Sequence, residues 1–202
     1  SIKEKYLLFL IFFVGILLRY YNHSFDDLWY DEVISFWIAN PNLSFQETIN
    51  FNKLIDINTP VFPLILKFFF SIFGYSVETG RLFSVILSSL SILSVGYLSW
   101  CVTKNNSFLL TFFLIGFNIY LISFSQEVRV YSLLFFASSV FLIIFFKTLK
   151  KERNFFILVA YFLSSIFLIS LHPFALIIFF SSVAFLLLQY LRNKQKYFSI
   201  HL

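Results

Sequence analysis

Four carboxylates crowd the stretch Phe25-Asp26-Asp27-Leu28-Trp29-Tyr30-Asp31-Glu32, directly after the first apolar segment of a chain that is otherwise almost entirely hydrophobic. Carboxylates at the edge of a bilayer are costly unless they face water, a cation or a partner, so the cluster points to a site for ions, sugars or phosphates. Solvation of an ordinary acidic loop is the competing reading. A second constellation is Ser125-Gln126-Glu127-Val128-Arg129-Val130-Tyr131. If it begins a helix, Glu127 and Tyr131 share a face and Arg129 turns elsewhere. The plain alternative is that Glu127 and Arg129 cap neighbouring helix ends. Arg81, in Gly80-Arg81-Leu82-Phe83-Ser84, sets a phosphate-shaped fork at the end of an apolar run, where arginine also snorkels without function. His172, in front of Pro173, is either a structural histidine or a ligand and proton carrier.

Elements that position these residues follow from composition. Hydrophobic residues make up 59% of the chain and charged residues 12%, and the mean hydropathy is +0.86. These values exclude an ordinary soluble domain and identify an integral membrane protein. The net charge of +5 sits in short basic clusters between apolar runs, a pattern that orients a chain in a membrane and does not suit nucleic acid. Cys101 is the only cysteine, so no intrachain disulfide forms. No methionine occurs, even at position 1, so the chain reads as a piece of a longer protein or as one that has lost its natural start, and its first apolar run lacks the small-residue end of a cleavable signal.

Apolar runs cover 6–21, 61–74, 82–102, 108–124, 130–146, 155–171 and 173–191. The 61–74 run reaches only ~21 Å against a ~30 Å hydrocarbon core. It also carries Lys67 and has Pro60 and Pro63 near its start, and so reads as re-entrant or interfacial. About six spans remain. Lys3, Lys5, Lys104, Lys147, Lys150, Lys151, Arg153, Arg192, Lys194 and Lys196 then share the N-terminal side, which is cytoplasmic by the positive-inside rule. The acids of 22–80, with Arg81, Glu127, Arg129 and His172, fall on the other. Two amphipathic helices are expected in that first loop, over 29–40 and over 43–51 with Ser44 as N-cap and Glu47 completing a capping box. The expected fold is an all-α polytopic transmembrane helical bundle with an extracytoplasmic first loop of interfacial helices.

Taken in order, Leu28-Trp29-Tyr30-Asp31-Glu32, Asn58-Thr59-Pro60-Val61-Phe62-Pro63-Leu64, Phe73-Gly74, Arg81-Leu82-Phe83-Ser84 and the 125–131 stretch make a set. It resembles that of the polyprenyl-phosphate-sugar-dependent glycosyltransferases of the GT-C fold, and is most similar to the bacterial branch related to dolichyl-phosphate-mannose protein mannosyltransferases. The resemblance covers 1–202 as the N-terminal part of a GT-C transmembrane domain. One departure is Asn58-Thr59-Pro60-Val61-Phe62 where many relatives carry a His-Pro-Pro-Leu-Tyr-like stretch, which leaves no loop histidine there. The resemblance implies a multi-pass enzyme of the cell (inner or plasma) membrane, with its N-terminus cytoplasmic and its active site extracytoplasmic. It would transfer a hexose, mannose-like, with inversion, from a polyprenyl-phosphate-linked donor to a hydroxyl of a protein, lipid or glycan acceptor. Asp31 is then the general base, supported by Glu32; Arg81 binds the donor phosphate; Glu127, Arg129, Tyr131 and His172 line the substrate pocket. No cofactor is required, and a divalent cation held by paired carboxylates stays open. The alternative is a polytopic transporter or lipid-carrier flippase, against which stand the interfacial placement of the acids and the lack of an internal repeat.

Overall fold

The computed structural model describes residues 2–56, 58–103, 107–149 and 154–199. Among them are ten helices and no strand: α1 (Ile2–Tyr20), α2 (Tyr30–Ile38), α3 (Phe45–Ile55), α4 (Val61–Phe73), α5 (Val77–Thr103), α6 (Ser107–Gly116), α7 (Ile119–Ser125), α8 (Tyr131–Leu149), α9 (Phe155–Leu171) and α10 (Ala175–Ser199). Three helices are long and apolar enough to cross a membrane, namely α5, α8 and the 175–192 part of α10. The pair α6 and α7 makes a fourth if counted as one span bent by 55°. On length and composition the expectation of six spans is therefore met for three, or for four with the bent pair. The apolar α9 has 17 residues, while α1 carries Lys3, Glu4, Lys5 and Arg19 in its 19. The basic residues Lys104, Lys150, Lys151 and Arg153 lie outside the described residues.

The centre of the bundle is the parallel pair α5 and α8. Serines let the two backbones approach: Ser94 and Ser139 hydroxyls meet at 2.5 Å across the seam, the small-residue packing expected where lipid removes any hydrophobic drive between helices. The core around it gathers Phe62, Leu66 and Phe70 of α4, Phe83 of α5, Leu133 and Phe141 of α8, and Leu168 and Leu171 of α9. At one end of the bundle α1, α7 and α9 finish and α5, α8 and α10 begin; the polar residues meet there. At the other end the Lys147 ammonium lies over the Tyr97 ring, 5.9 Å from its centroid.

The first loop folds as a plate across the polar end. Helix α3 opens with the expected capping box, Ser44 Oγ accepting from the Glu47 N–H at 3.2 Å and Glu47 accepting from the Ser44 N–H at 2.6 Å. Helix α2 turns Glu32, Ser35 and Ile38 inward and leaves Tyr30, Val33 and Trp37 outward and exposed, the arrangement of a helix lying at an interface. Lys67, the charge that interrupts the 61–74 run, donates to the Asn40 carbonyl and the Thr48 hydroxyl, each at 3.1 Å, and to the Leu43 carbonyl. It thus satisfies the loop between α2 and α3. Pro60 and Pro63 start α4 rather than break it, since Pro60 stands at the N-cap position and a proline in the first turn forfeits no intrahelical bond. Gly74 stops α4 with φ +97, a backbone region open to glycine.

The α6–α7 bend has a chemical cause. Gly116 ends α6 and Asn118 caps α7, its Oδ1 accepting from the Leu121 N–H at 3.0 Å, so the last carbonyls of α6 lose their helical partners. Arg19, wholly buried on α1, supplies them: Nη1 donates to Gly116 O and Gly15 O at 2.9 Å, Nη2 to Ile115 O at 2.9 Å, and Nε to Ser88 Oγ at 2.8 Å.

Candidate functional site

Glu32 is the hub of the polar end. It sits at the third position of α2, where its carboxylate folds back to accept from the Trp29 N–H at 3.3 Å, and it is 1% exposed. The same carboxylate accepts the Val128 N–H at 2.7 Å and takes the Nε–Nη2 edge of the Arg81 guanidinium with both oxygens, Nε at 3.2 Å and Nη2 at 2.9 Å. Arg81, itself buried on the first turns of α5, spends its remaining donors on carbonyls: His23 at 3.2 Å, Asp26 at 2.6 Å and Asp27 at 3.2 Å. A guanidinium has five N–H groups, and all five are engaged inside the protein. The pair therefore joins α2, α5, the loop after α1 and the turn before α8. Asp26 and Asp27 contribute main-chain oxygens only, their side chains being exposed.

The stretch 126–130 is a turn rather than the start of a helix, and α8 starts at Tyr131. The turn is fixed from three sides. Gln126 Nε2 donates to carbonyls at and just past the end of α1, Arg19 O at 3.2 Å and Tyr21 O at 2.9 Å; Ser84 Oγ of α5 donates to Glu127 O at 2.6 Å; and Glu32 holds the Val128 N–H. Arg129 consequently does not turn away. It points to the start of α2, with Nη1 donating to Asp31 O at 3.0 Å and Ser35 Oγ at 3.1 Å, and with the Tyr131 ring 5.9 Å below its centre.

Beside the filled Arg81, Arg129 is unfilled. Its Nη2 approaches Asp31 Oδ2 at 3.7 Å and its Nη1 approaches Asp56 Oδ2 at 4.0 Å, both beyond hydrogen-bond range, and its buried Nε has no partner. Only two of the five donors are thus satisfied. Asp31 carries the carboxylate left open to solvent, its side chain 37% exposed. Glu127 is half-buried with Oε2 buried and unpartnered. Burial first, and the negative charges of Glu32 and Asp31, raise its carboxyl above the usual range, against the opposing pull of Arg129 and Arg81. His172 caps the C-terminal end of α9. Its Nδ1 accepts the Phe174 N–H at 3.2 Å, so the neutral ring carries its proton on Nε2. Burial and the Arg129 charge lower its pKa, partly offset by Asp56.

The structure thus brings Asp31, Glu32, Arg81, Glu127, Arg129, Tyr131 and His172 to one end of the bundle and divides them into a closed pair, Glu32 with Arg81, and an open set. It adds residues outside the sequence-derived site. Ser35 stands one turn after Asp31 and joins Asp31 O to Arg129. Asp56 has Oδ1 filled by the Asn58 main chain and side chain, at 2.9 and 2.8 Å, so that Oδ2 is left to face Arg129. The signal for this Asx turn, Asp56 and Asn58 ahead of Pro60, is present in the sequence. Among the described residues no group of three or more His, Cys, Asp or Glu side chains is placed to hold a metal ion.

From this end an apolar groove of about 580 Å³ runs down between α5, the α6–α7 bend, α8 and α10, bordered by Val95, Leu98, Phe124, Phe135, Leu142 and Ile178. Tyr131 and Phe174 also line it. They are the residues that touch the polar set, Tyr131 under Arg129 and Phe174 with its ring tilted against His172 at 4.9 Å. From Tyr131 to Leu142 the groove follows α8 for ~16 Å. The arrangement offers an amphiphile an anionic-group contact at Arg129, a carboxylate base at Asp31 and an apolar trough for a tail. The chain matches no protein-family model, no curated protein and no solved structure in comparisons against each.

Proposed function

We propose that the chain is part of a membrane glycosyltransferase that takes a hexose from a polyprenyl-phosphate carrier and passes it to an acceptor hydroxyl on the extracytoplasmic face. The observation that carries this reading is the juncture of an unfilled guanidinium and an open carboxylate, Arg129 and Asp31, with the mouth of an apolar groove at Tyr131 and Phe174. The ordered motifs of the sequence support the same class. In this reading six passes cross the membrane, α1, α5, α6 with α7, α8, α9 and α10, and the N-terminus is cytoplasmic.

Asp31 removes the acceptor hydroxyl proton as that oxygen attacks the anomeric carbon from the face opposite the phosphate. The new glycosidic C–O bond forms as the old one breaks, and the electron pair leaves with the polyprenyl phosphate. General-base help of this kind contributes ~10²- to 10⁴-fold. The charge on the departing phosphate falls to Arg129, since the donors of Arg81 are already committed to Glu32 and three carbonyls. Arg81 and Glu32 then act by fixing α2, so that Asp31 faces the acceptor. Membranes containing the protein, given radiolabelled polyprenyl-phosphate hexoses, should move label to an acceptor, and Asp31→Asn should stop the transfer without lowering the amount of protein. Transfer by purified Asp31→Asn at the wild-type rate sinks the assignment.

A further inference from the structure

The groove that leaves the polar end has a mouth, a depth and a floor. Its walls run along α5 from Ser88 to Leu98 and along α8 from Tyr131 to Leu142, ~15 and ~16 Å at the helical rise. One turn beyond Leu142 the buried Phe145 of α8 meets Phe185 of α10 edge to face, ring centroids 5.9 Å apart, and packs on Tyr161 of α9 at 6.2 Å. Those rings close the space between α8 and α10. The depth is that of one leaflet, half of a ~30 Å hydrocarbon core. Serines on α8 keep the trough wide without making it polar: the Ser132 hydroxyl donates to Phe124 O at 3.2 Å, Ser138 to Leu134 O at 2.7 Å and Ser139 to Phe136 O at 2.7 Å. At the mouth the Tyr131 ring lies 5.9 Å from the Arg129 guanidinium, whose buried Nε has no partner, so a head held by Arg129 starts its tail at Tyr131.

We propose that the groove is a ruler for the head end of a single prenyl chain, with the carrier phosphate at Arg129 and the tail beyond the floor left in the bilayer. The inference rests on the glycosyltransferase reading and names the part of the carrier that the protein recognises. Three chain atoms of an extended peptide span ~3.3–3.6 Å, so the four in-line carbons of an isoprene unit span ~4.6 Å and the groove takes about three to four units. Lipid tails are as apolar as the groove walls, so entry gains nothing from hydrophobic transfer and selection is by fit. A phospholipid brings two chains to one trough and leaves one of them outside. Ser138 stands ~10 Å below Tyr131 along α8, where a larger side chain would cut the trough short.

Photolabelling of the protein in phosphatidylcholine nanodiscs tests this, using polyprenyl phosphates with a diazirine on the first, third or fifth isoprene unit and mass spectrometry to locate the label. The first-unit probe should label Tyr131 and Phe174, and the third-unit probe Leu142 and Leu98. Unlabelled polyprenyl phosphate should abolish both signals and phosphatidic acid should leave them. The fifth-unit probe should miss the groove. Ser138→Phe should keep the first-unit signal and lose the third. Phe185→Ala, at a half-exposed position that tolerates truncation, should open the floor and let the fifth unit label Phe145. Should Ser138→Phe fail to fold, the wild-type series and Phe185→Ala decide on their own. Groove labelling by the fifth unit in wild type, an unchanged third-unit signal in Ser138→Phe, or equal displacement by phosphatidic acid overturns the ruler. Sugar transfer without depth-ordered labelling overturns the ruler alone; depth-ordered labelling in a protein that moves no sugar from any carrier overturns the glycosyltransferase reading and leaves a carrier-phosphate site.

Discussion

At the scale of single residues, three arginines share one side-chain chemistry and differ only in what fills their forks. Arg81 is closed by Glu32 and carbonyls, Arg19 by carbonyls and a hydroxyl, and Arg129 is left with unused donors. Removing one member of a buried ion pair strands the other, at about 3–5 kcal/mol. Arg81→Met and Glu32→Gln should therefore each lower the melting temperature sharply in detergent. Arg129→Met should melt close to wild type and lose affinity for a polyprenyl phosphate. An Arg81→Met protein that melts like wild type and alone loses that affinity would return the phosphate role to Arg81. The sequence makes Asp31 and Glu32 legible as acids at a helix start, but not their division of labour. That comes from the phase of α2, which turns Glu32, Ser35 and Ile38 inward and leaves Asp31 at the edge. Nor does spacing reveal that Arg129 faces Asp31, because the 126–130 segment is a turn, where helical periodicity has no force.

At the scale of elements, most helices are legible because apolar runs of this length have few alternatives in a membrane. Ser44 and Glu47 mark α3 for the same local reason that they cap it. Breaks are harder to see. Within 108–124 hydropathy is continuous, yet Gly116 and Asn118 end one helix and cap the next, and their meaning depends on Arg19, almost a hundred positions away, reaching the freed carbonyls. The same corner anchors Gln126 and so the turn that carries Glu127 and Arg129. Arg19→Met keeps the length and apolar body of the side chain but leaves the Ile115 and Gly116 carbonyls unpaired, at about 1–3 kcal/mol each. The variant should be less stable, and hydrogen exchange should quicken at the start of α7 and through 126–130 while α4 and α9 keep their protection. Uniform loss of protection along the chain would mean that Arg19 supports the bundle as a whole and not this corner.

At the scale of the whole molecule, the helix directions and the charges speak to the same question. The helices that begin at the polar end, α5, α8 and α10, alternate along the chain with those that finish there, α1, α7 and α9, so the acids of the first loop, Arg129 and His172 gather at one end while Lys147 lies at the other. If six passes cross the bilayer with the basic end in the cytoplasm, the far end of α5 lies inside the cell and the loop between α2 and α3 outside. Cys101, part-exposed near the end of α5 and the only cysteine of the chain, reports directly on this. In intact cells a membrane-impermeant maleimide should leave Cys101 unlabelled until the membrane is permeabilised. With Cys101→Ser as background, Asn42→Cys, at an exposed position of the first loop, should label at once. The reverse pattern would put the candidate site in the cytoplasm, where an extracytoplasmic carrier-linked sugar cannot reach it. Labelling of both positions from one side would mean that α5 does not cross, and the alternation of the remaining helices about the polar end would then have no membrane to explain it.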